Sequence, residues 1–229
     1  DTYEFDYDGD IYKLRSEHVD LDVTIDHELY AKREGKEVYE LIAASELKGN
    51  KYSLKKNCMN VNPDIATFDD IEGYSFKMDD WLAFYGVWFA MGGVGELDIV
   101  DWEHDGTYIY GRKGPHIEEI LNILKKWDIK FSFHNGKTHA LYVENKDLDD
   151  YLIMIDKKDV FPDWVWDLSQ RQALILLDHI DTPTKGMRSS FCGDNGCHVV
   201  QRLAIHCGLS ASIEFDDDLH ASFKIDWKN

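Results

Sequence analysis

Two textures of hydrophobic and polar positions divide the sequence. Through residue 57, short runs alternate in polarity and are cut by turn residues: 3–7, then Asp8-Gly9-Asp10, then 11–14, 21–25 and 27–31, with Glu34-Gly35 closing a hairpin. These predict β structure. Residues 38–47 fit one helical turn or more, and 52–54 a further strand. The stretch 57–74 has little periodicity and carries Asn62-Pro63-Asp64 and Asp69-Asp70, both loop chemistry, so it is expected to connect.

From Lys77 the pattern changes. Asp79-Asp80 are placed to cap a helix over 81–91 that stops at Gly92-Gly93. That helix is apolar on every face, so it must be buried on all sides, and it is too short to cross a bilayer. Strands are predicted over 96–103 and 107–111 with Asp105-Gly106 as the turn between them. An amphipathic helix over 115–127 follows, with Pro115 near its first turn and Ile117, Ile120, Leu121 and Leu124 as its stripe. Strands over 130–133 and 138–143, joined around Asn135-Gly136, and a helix over 148–155 complete the first stretch.

The remainder repeats this order. Ser169 is placed to cap a second apolar helix over 170–180; a gap, a helix over 199–207 ended by Gly208, and strands over 211–215 and 221–227 follow. The expected class is α+β: a β-rich segment and connector over 1–75, then a domain over 76–229 with two pseudo-symmetric αββα halves, about 76–160 and 161–229. The two apolar helices are expected to pack on each other, with Gly86 as the point of close approach.

Charge narrows the function. Forty-four acidic against 25 basic residues give a formal charge of −19 and a pI near 4.8. That balance disfavours broad affinity for nucleic acid, which needs Lys and Arg to displace counterions. No stretch approaches the ~20 apolar residues of a membrane span. The acidic first residues do not resemble a signal peptide, so an intracellular, cytoplasmic location is expected. A first residue other than Met is expected for a processed, excised or trimmed chain. Cys58, Cys192, Cys197 and Cys207 do not form a disulfide framework. Cys192 and Cys197, with His198 and His206-Cys207, suggest a metal knuckle. The second pair is adjacent in sequence, however, and adjacent helical side chains point about 100° apart. Reduced thiols are the expected state.

Several segments carry a resemblance. Trp81-Leu82-Ala83-Phe84-Tyr85-Gly86-Val87-Trp88-Phe89-Ala90-Met91-Gly92-Gly93 resembles the first signature helix of LAGLIDADG homing endonucleases. The stretch 161–170, followed by 173–180, is similar to the approach to their second signature helix, and 200–208 resembles a downstream helix of intein-borne members. Upstream, 9–14 and Thr24-Ile25-Asp26-His27 resemble the second conserved block of inteins, whose Thr and His assist the first acyl shift of splicing. Together the pieces cover most of the chain in the family's order.

The resemblance implies a saddle-like antiparallel sheet that grips duplex DNA. It also implies two acidic residues, one at each signature-helix end, that hold divalent cations over the scissile phosphates. Hard oxygen ligands suit Mg²⁺; a thioether does not. Met91 stands at the first acidic position and Thr184 at the second, behind Pro183, which is expected to break the helix. Asp181 is the substitute acid if the register shifts. Glu96 and Asp98 follow the first helix on strand positions. The implied DNA-binding residues are Arg112, Lys113, Lys130, Lys137, Lys185, Arg188 and Lys224, interrupted by Asp98, Asp101, Glu103, Asp216, Asp217 and Asp218. Asp1-Thr2 supply no splicing nucleophile and Lys228 precedes Asn229, so splicing is not expected.

Two readings follow. One is a degenerate intein-derived homing endonuclease, with duplex DNA as partner, no cofactor as it stands, and Mg²⁺ if nuclease activity survives. The other is a non-catalytic binding or structural module with a protein partner or a larger host polypeptide. Such a module would be virion-associated if domesticated in a phage or virus.

Overall fold

A computed structural model describes residues 6–16, 19–55, 60–99, 102–111, 114–135, 139–155, 160–184, 194–215 and 221–227. The chain divides into two compact units, Asp1–Cys58 and Met59–Asn229.

In the first unit, β1 (Ile11–Ser16) and β2 (Val19–Thr24) form an antiparallel hairpin with Ile11 opposite Thr24. A three-stranded antiparallel sheet places β3 (Glu28–Arg33) between β4 (Glu40–Ala43) and β5 (Tyr52–Leu54). Strand alternation decides the faces: Leu29 and Ala31 are buried while Tyr30 is exposed. Helix α1 (Ala44–Leu47) is a single turn. Residues 40–43, grouped with a helix in the sequence reading, are strand because Ile42 pairs opposite Leu29 and is buried with it. The Tyr12 and Tyr52 hydroxyls meet at 2.9 Å, joining β1 to β5.

The second unit starts earlier than the sequence suggested. Residues 60–75 do not merely connect: Phe68 and Ile71 are buried in its core. Phe68 stacks on Trp81 at 4.1 Å, and β6 (Thr67–Phe68) pairs with β7 (Phe76–Lys77). Helix α2 (Met78–Met91) buries every residue except Asp79 and Asp80. Those two occupy the first turn instead of capping it, a favourable place for negative charge. Trp81 sits among the rings of Phe68, Phe76, Phe84, Tyr85, Trp127, Tyr151 and Trp164.

Without a loop, α2 passes into β8 (Gly92–Ile99), which pairs with β9 (Trp102–Tyr110). The expected turn at Asp105-Gly106 is therefore wrong. Gly106 lies inside β9 opposite Gly95, both at positive φ that glycine tolerates; β8 starts four residues earlier than alternation implied, and β9 is longer than expected. Helix α3 (Pro115–Lys126), β10 (Lys130–Asn135), β11 (His139–Glu144) and α4 (Lys146–Ile155) follow. The sheet is antiparallel throughout, ordered β10-β11-β9-β8, with Ile109, Leu141 and Val143 in the core beside α2 and α3. The chain then forms a 3₁₀ turn (Asp163–Asp167), α5 (Gln170–Thr184), α6 (Asp194–His206), and the antiparallel pair β12 (Ser210–Phe215) and β13 (Ala221–Asp226). Ser169 caps α5, its hydroxyl accepting from the Gln172 N–H at 3.2 Å. The architecture is α+β with antiparallel sheets, as the pattern implied.

The internal repeat is written in hydrogen bonds. At the end of α3, the Trp127, Asp128 and Ile129 amides donate to the carbonyls of Ile123, Lys125 and Leu124; at the end of α6, Cys207, Gly208 and Leu209 donate to Leu203, Ile205 and Ala204. Both are Schellman closures with a left-handed residue, Asp128 at φ 54° and Gly208 at φ 79°, 80 positions apart. Strands β10 and β12 begin at the same offset. The closure fixes a prediction of opposite signs. Gly208→Ala should lower stability by about 1 kcal/mol, while Asp128→Gly should raise it by about 0.5–1 kcal/mol, read as shifts in urea midpoint at constant m.

Candidate functional site

The centre of the second unit is the seam between α2 and α5. Arg171, the second residue of α5, grips Asp79, the second residue of α2, with two parallel bonds of 2.9 and 3.0 Å. Further along, Gly86 faces α5 so closely that a Cβ there would stand 2.7 Å from the His179 Cβ and 3.0 Å from the Leu176 carbonyl oxygen. Two contacts at matching intervals mean that the helices run parallel. Met91 and Thr184 each lie five residues beyond the crossing, so both helices end on the same side.

The N-terminal ends are tied as firmly. Arg171 also reaches Asp64 at 2.7 Å, and Ser169 hydrogen-bonds the same carboxylate. Gln172, fully buried, donates to the Ile65 carbonyl at 2.6 Å and accepts from the Ile65 amide at 2.8 Å, so its carboxamide acts as a substitute peptide. Asn60 and Asn62 donate to the Leu168 and Trp166 carbonyls. His179 bonds the Ile175 carbonyl at 2.8 Å and Glu119 of α3 at 3.3 Å, joining α5 to the first half.

Met91 is turned inward. It is 8% exposed, and a Cβ on Gly111 would meet its terminal methyl at 3.0 Å and the Ile117 methyl at 3.3 Å. The thioether is thus packed as core hydrocarbon. The second helix end departs from expectation: α5 continues through Pro183 to Thr184. Proline costs the His179 carbonyl its i+4 partner, and the helix ends one residue later, in a turn where carbonyls lack such donors anyway. Asp181 accepts from the Trp227 indole at 3.2 Å. Among the described residues no group of three or more His, Cys, Asp or Glu side chains is arranged to hold a metal ion. With Met91 in hydrocarbon, the residues present do not fit a Mg²⁺ seat at the first helix end. Cys192 falls outside the described residues; Cys197 and Cys207 are buried, His198 is exposed, and His206 bonds Asn60 and the Leu168 carbonyl, so the described members do not converge on one centre.

Of the basic residues, Lys130 starts β10, exposed and opposite Glu144, and Lys224 lies exposed in β13 opposite Ser212. Arg112, Lys113, Lys137, Lys185 and Arg188 fall outside the described residues. Asp98 pairs in register with Glu103, and Glu96 with Asp105. The sequence reading missed a second set of residues. Tyr108, Tyr110 and Tyr142 alternate with the core residues Ile109, Leu141 and Val143 and so share the opposite face, in register with Ser132 and His134. The Tyr108 and Tyr110 rings lie 5.2 Å apart, and burial pushes the Tyr110 and Tyr142 phenols above their ordinary range, keeping them protonated. The strict alternation Thr107-Tyr108-Ile109-Tyr110 is the signal that could have found this face.

In the first unit, Thr24 and His27 share one tight turn. The His27 amide donates to the Thr24 carbonyl at 3.1 Å, and the Thr24 hydroxyl holds the Asp26 carboxyl below its usual range. The Ala44 and Ser45 amides, donating to His27 and Ile25 carbonyls, fix that turn against α1.

The seam generates two predictions. Gly86→Ala must push the helices apart against backbone and should cost about 1–3 kcal/mol, and His179→Gly in the same chain should recover part of that loss in urea denaturation. The Arg171 guanidinium, foremost, holds the Asp79 and Asp64 carboxyls below the usual range. Their stabilisation is complete above the unfolded carboxylate value, about 3.9, and is lost as pH falls below it. Arg171→Met should flatten the acid limb of the stability–pH curve below about pH 4, measured by thermal melts.

No protein-family model matches the chain. Among curated proteins, the ATP-dependent Clp protease proteolytic subunit of Chlamydomonas moewusii is 27% identical, over 94% of this chain and 24% of that protein. The DNA-directed RNA polymerase subunit beta C-terminal section of Stigeoclonium helveticum is 25% identical, over 75% of this chain and 18% of that protein. The chain thus spans about a quarter or less of these relatives' length. Among solved structures, mesophilic variants of the homing endonuclease I-DmoI are 13% identical over 66% of this chain and 90% of theirs, with a TM-score of 0.45. I-DmoI in complex with DNA and Ca is 14% identical over 66% and 84%, with a TM-score of 0.42.

Proposed function

We propose that the chain is a LAGLIDADG-type module of an intein-borne element that binds duplex DNA and no longer cuts it. The carrying observation is the α2–α5 seam. Two parallel apolar helices meet at Gly86 and His179, equidistant from their ends, and the first end presents a buried thioether where cleavage demands a carboxylate. The repeated Schellman closure supports descent from a duplicated unit. A similar stretch occupies a minor part of two relatives whose named activities, proteolysis and transcription, are unrelated; an inserted element would give this distribution. The Thr24–His27 turn supports an intein origin for the insertion, because it brings into one tight turn the two residues that a first acyl shift would use.

Without a carboxylate at residue 91, a metal ion lacks its hard oxygen ligand on one side of the seam, and two-metal phosphodiester hydrolysis needs ligands for both the attacking and leaving oxygens. What remains to the chain is binding. A second reading, a structural module within a larger polypeptide, is favoured by the charge of −19.

One experiment separates them. The purified chain is titrated with duplex DNA carrying the uninterrupted host-gene sequence, at several salt concentrations, with Mg²⁺ or Mn²⁺ present. Binding that weakens as salt rises, with no strand cut, is the expected result. Absence of binding at low salt would favour the structural module, and nicking would show that the acids are elsewhere, Asp181 first. Met91→Glu should remain inactive. It should also melt lower, since an unpaired buried charge costs about 3–5 kcal/mol.

A further inference from the structure

The two halves differ in one respect that bears on how DNA would be read. Between the end of α2 at Met91 and the start of α3 at Pro115 lie the 23 residues 92–114, which hold β8 and β9, of eight and nine residues. Between the matching ends of α5 at Thr184 and α6 at Asp194 lie only the nine residues 185–193. Nine residues cannot supply a hairpin of that length. Downstream, the halves return to register, because both Schellman closures and the first strands after them repeat at an offset of 80. The difference is therefore confined to the spacing between the two helices of each half.

We infer that the chain reads duplex sequence from one side only, through the sheet β10-β11-β9-β8. This rests on the duplex-DNA reading above. At about 4.8 Å per strand spacing, four strands span roughly 15 Å, against about 5 Å for the pair β12-β13. The chemistry of the two faces differs as well. The broad sheet places Tyr108, Tyr110, Ser132 and His134 on one face, side chains whose hydroxyl and ring nitrogen chemistry suits base edges. The narrow pair offers, opposite its core residues Ala211, Ile213, Phe223 and Ile225, register partners Ser212 and Lys224 and the pair Ser210 and Asp226. Lys224 is suited to a phosphate, which positions without specifying.

The test is selection of a randomised duplex library on the full chain at low salt, followed by affinity measurements on the selected duplex. One contiguous block of base preference is expected. Tyr110→Phe and His134→Ala should each lower discrimination inside that block by about tenfold, the first keeping the ring so that folding is preserved. Lys224→Ala should weaken all duplexes alike and leave the preference unchanged. Two blocks of equal information, or altered base preference in Lys224→Ala, would overturn one-sided readout while leaving DNA binding intact. If no duplex is retained at all, the DNA reading falls and this inference falls with it.

Discussion

The second unit depends on one constraint: two helices can lie parallel at near-contact only if one of them lacks a side chain at the crossing. Gly86 meets that condition, admitting the His179 Cβ and the Leu176 carbonyl to a distance that any larger residue would forbid. Because the approach is so close, α2 must be apolar around its whole circumference, since α5 takes one side and α3 with the sheet takes the others. On α2 the charged groups are thereby confined to its beginning, where Asp79 joins Arg171 and Asp64 in one charged clamp in reach of water. At the other ends, the same crowding leaves room for hydrocarbon beside Gly111 and Ile117, and Met91 fills it.

This division separates what holds the seam together from what occupies its far end. The crossing and the clamp are packing features, satisfied by shape and by charge pairs at the opposite end from Met91. A carboxylate at residue 91 would need a metal ion or another partner to justify its burial, whereas a thioether needs neither. The duplicated closures at Asp128 and Gly208 show the same separation. Backbone geometry has been held across both halves, although one uses an aspartate in a left-handed conformation that glycine fills more easily.

What the sequence showed, it showed through local regularity. The all-apolar run of α2, the stripe of α3, the Ser169 cap and the β10-β11 hairpin each leave a period or a turn residue within a dozen positions. Long-range compensation left no such trace. Residues 60–75 look like linker because their hydrogen bonds are to Gln172, Leu168 and Trp166, about a hundred positions away. Asp105-Gly106 looks like a turn because Gly95, which pairs with Gly106 from β8, cannot be recognised as its partner from pattern alone. Pro183 looks like a break because propensity does not record that the helix ends one residue later. Of the candidate site, the end of α2 at Met91 was legible from the apolar run that stops at Gly92-Gly93, while the end of α5 at Thr184 was not. The inward turn of Met91 was not legible either, because it is set by neighbours in space; the tyrosine face left its alternation in 107–110 but not the strand register that brings Tyr142 beside it.

The apolar circumference of α2 has a consequence for biogenesis. Its partner helix is completed at Thr184, 93 residues after Met91. At translation rates of about 5–20 residues per second, the ribosome needs roughly 5–20 s to make that interval. During it α2 can be shielded on the side of its own sheet but not on the side reserved for α5. Collapse of a nascent chain takes microseconds, so a surface bearing Gly86 and its neighbouring large rings is available to wrong partners for a time many orders of magnitude longer than collapse itself. The tight seam of the finished protein thus comes with an apolar helix face that its own chain can cover only after α5 has been made.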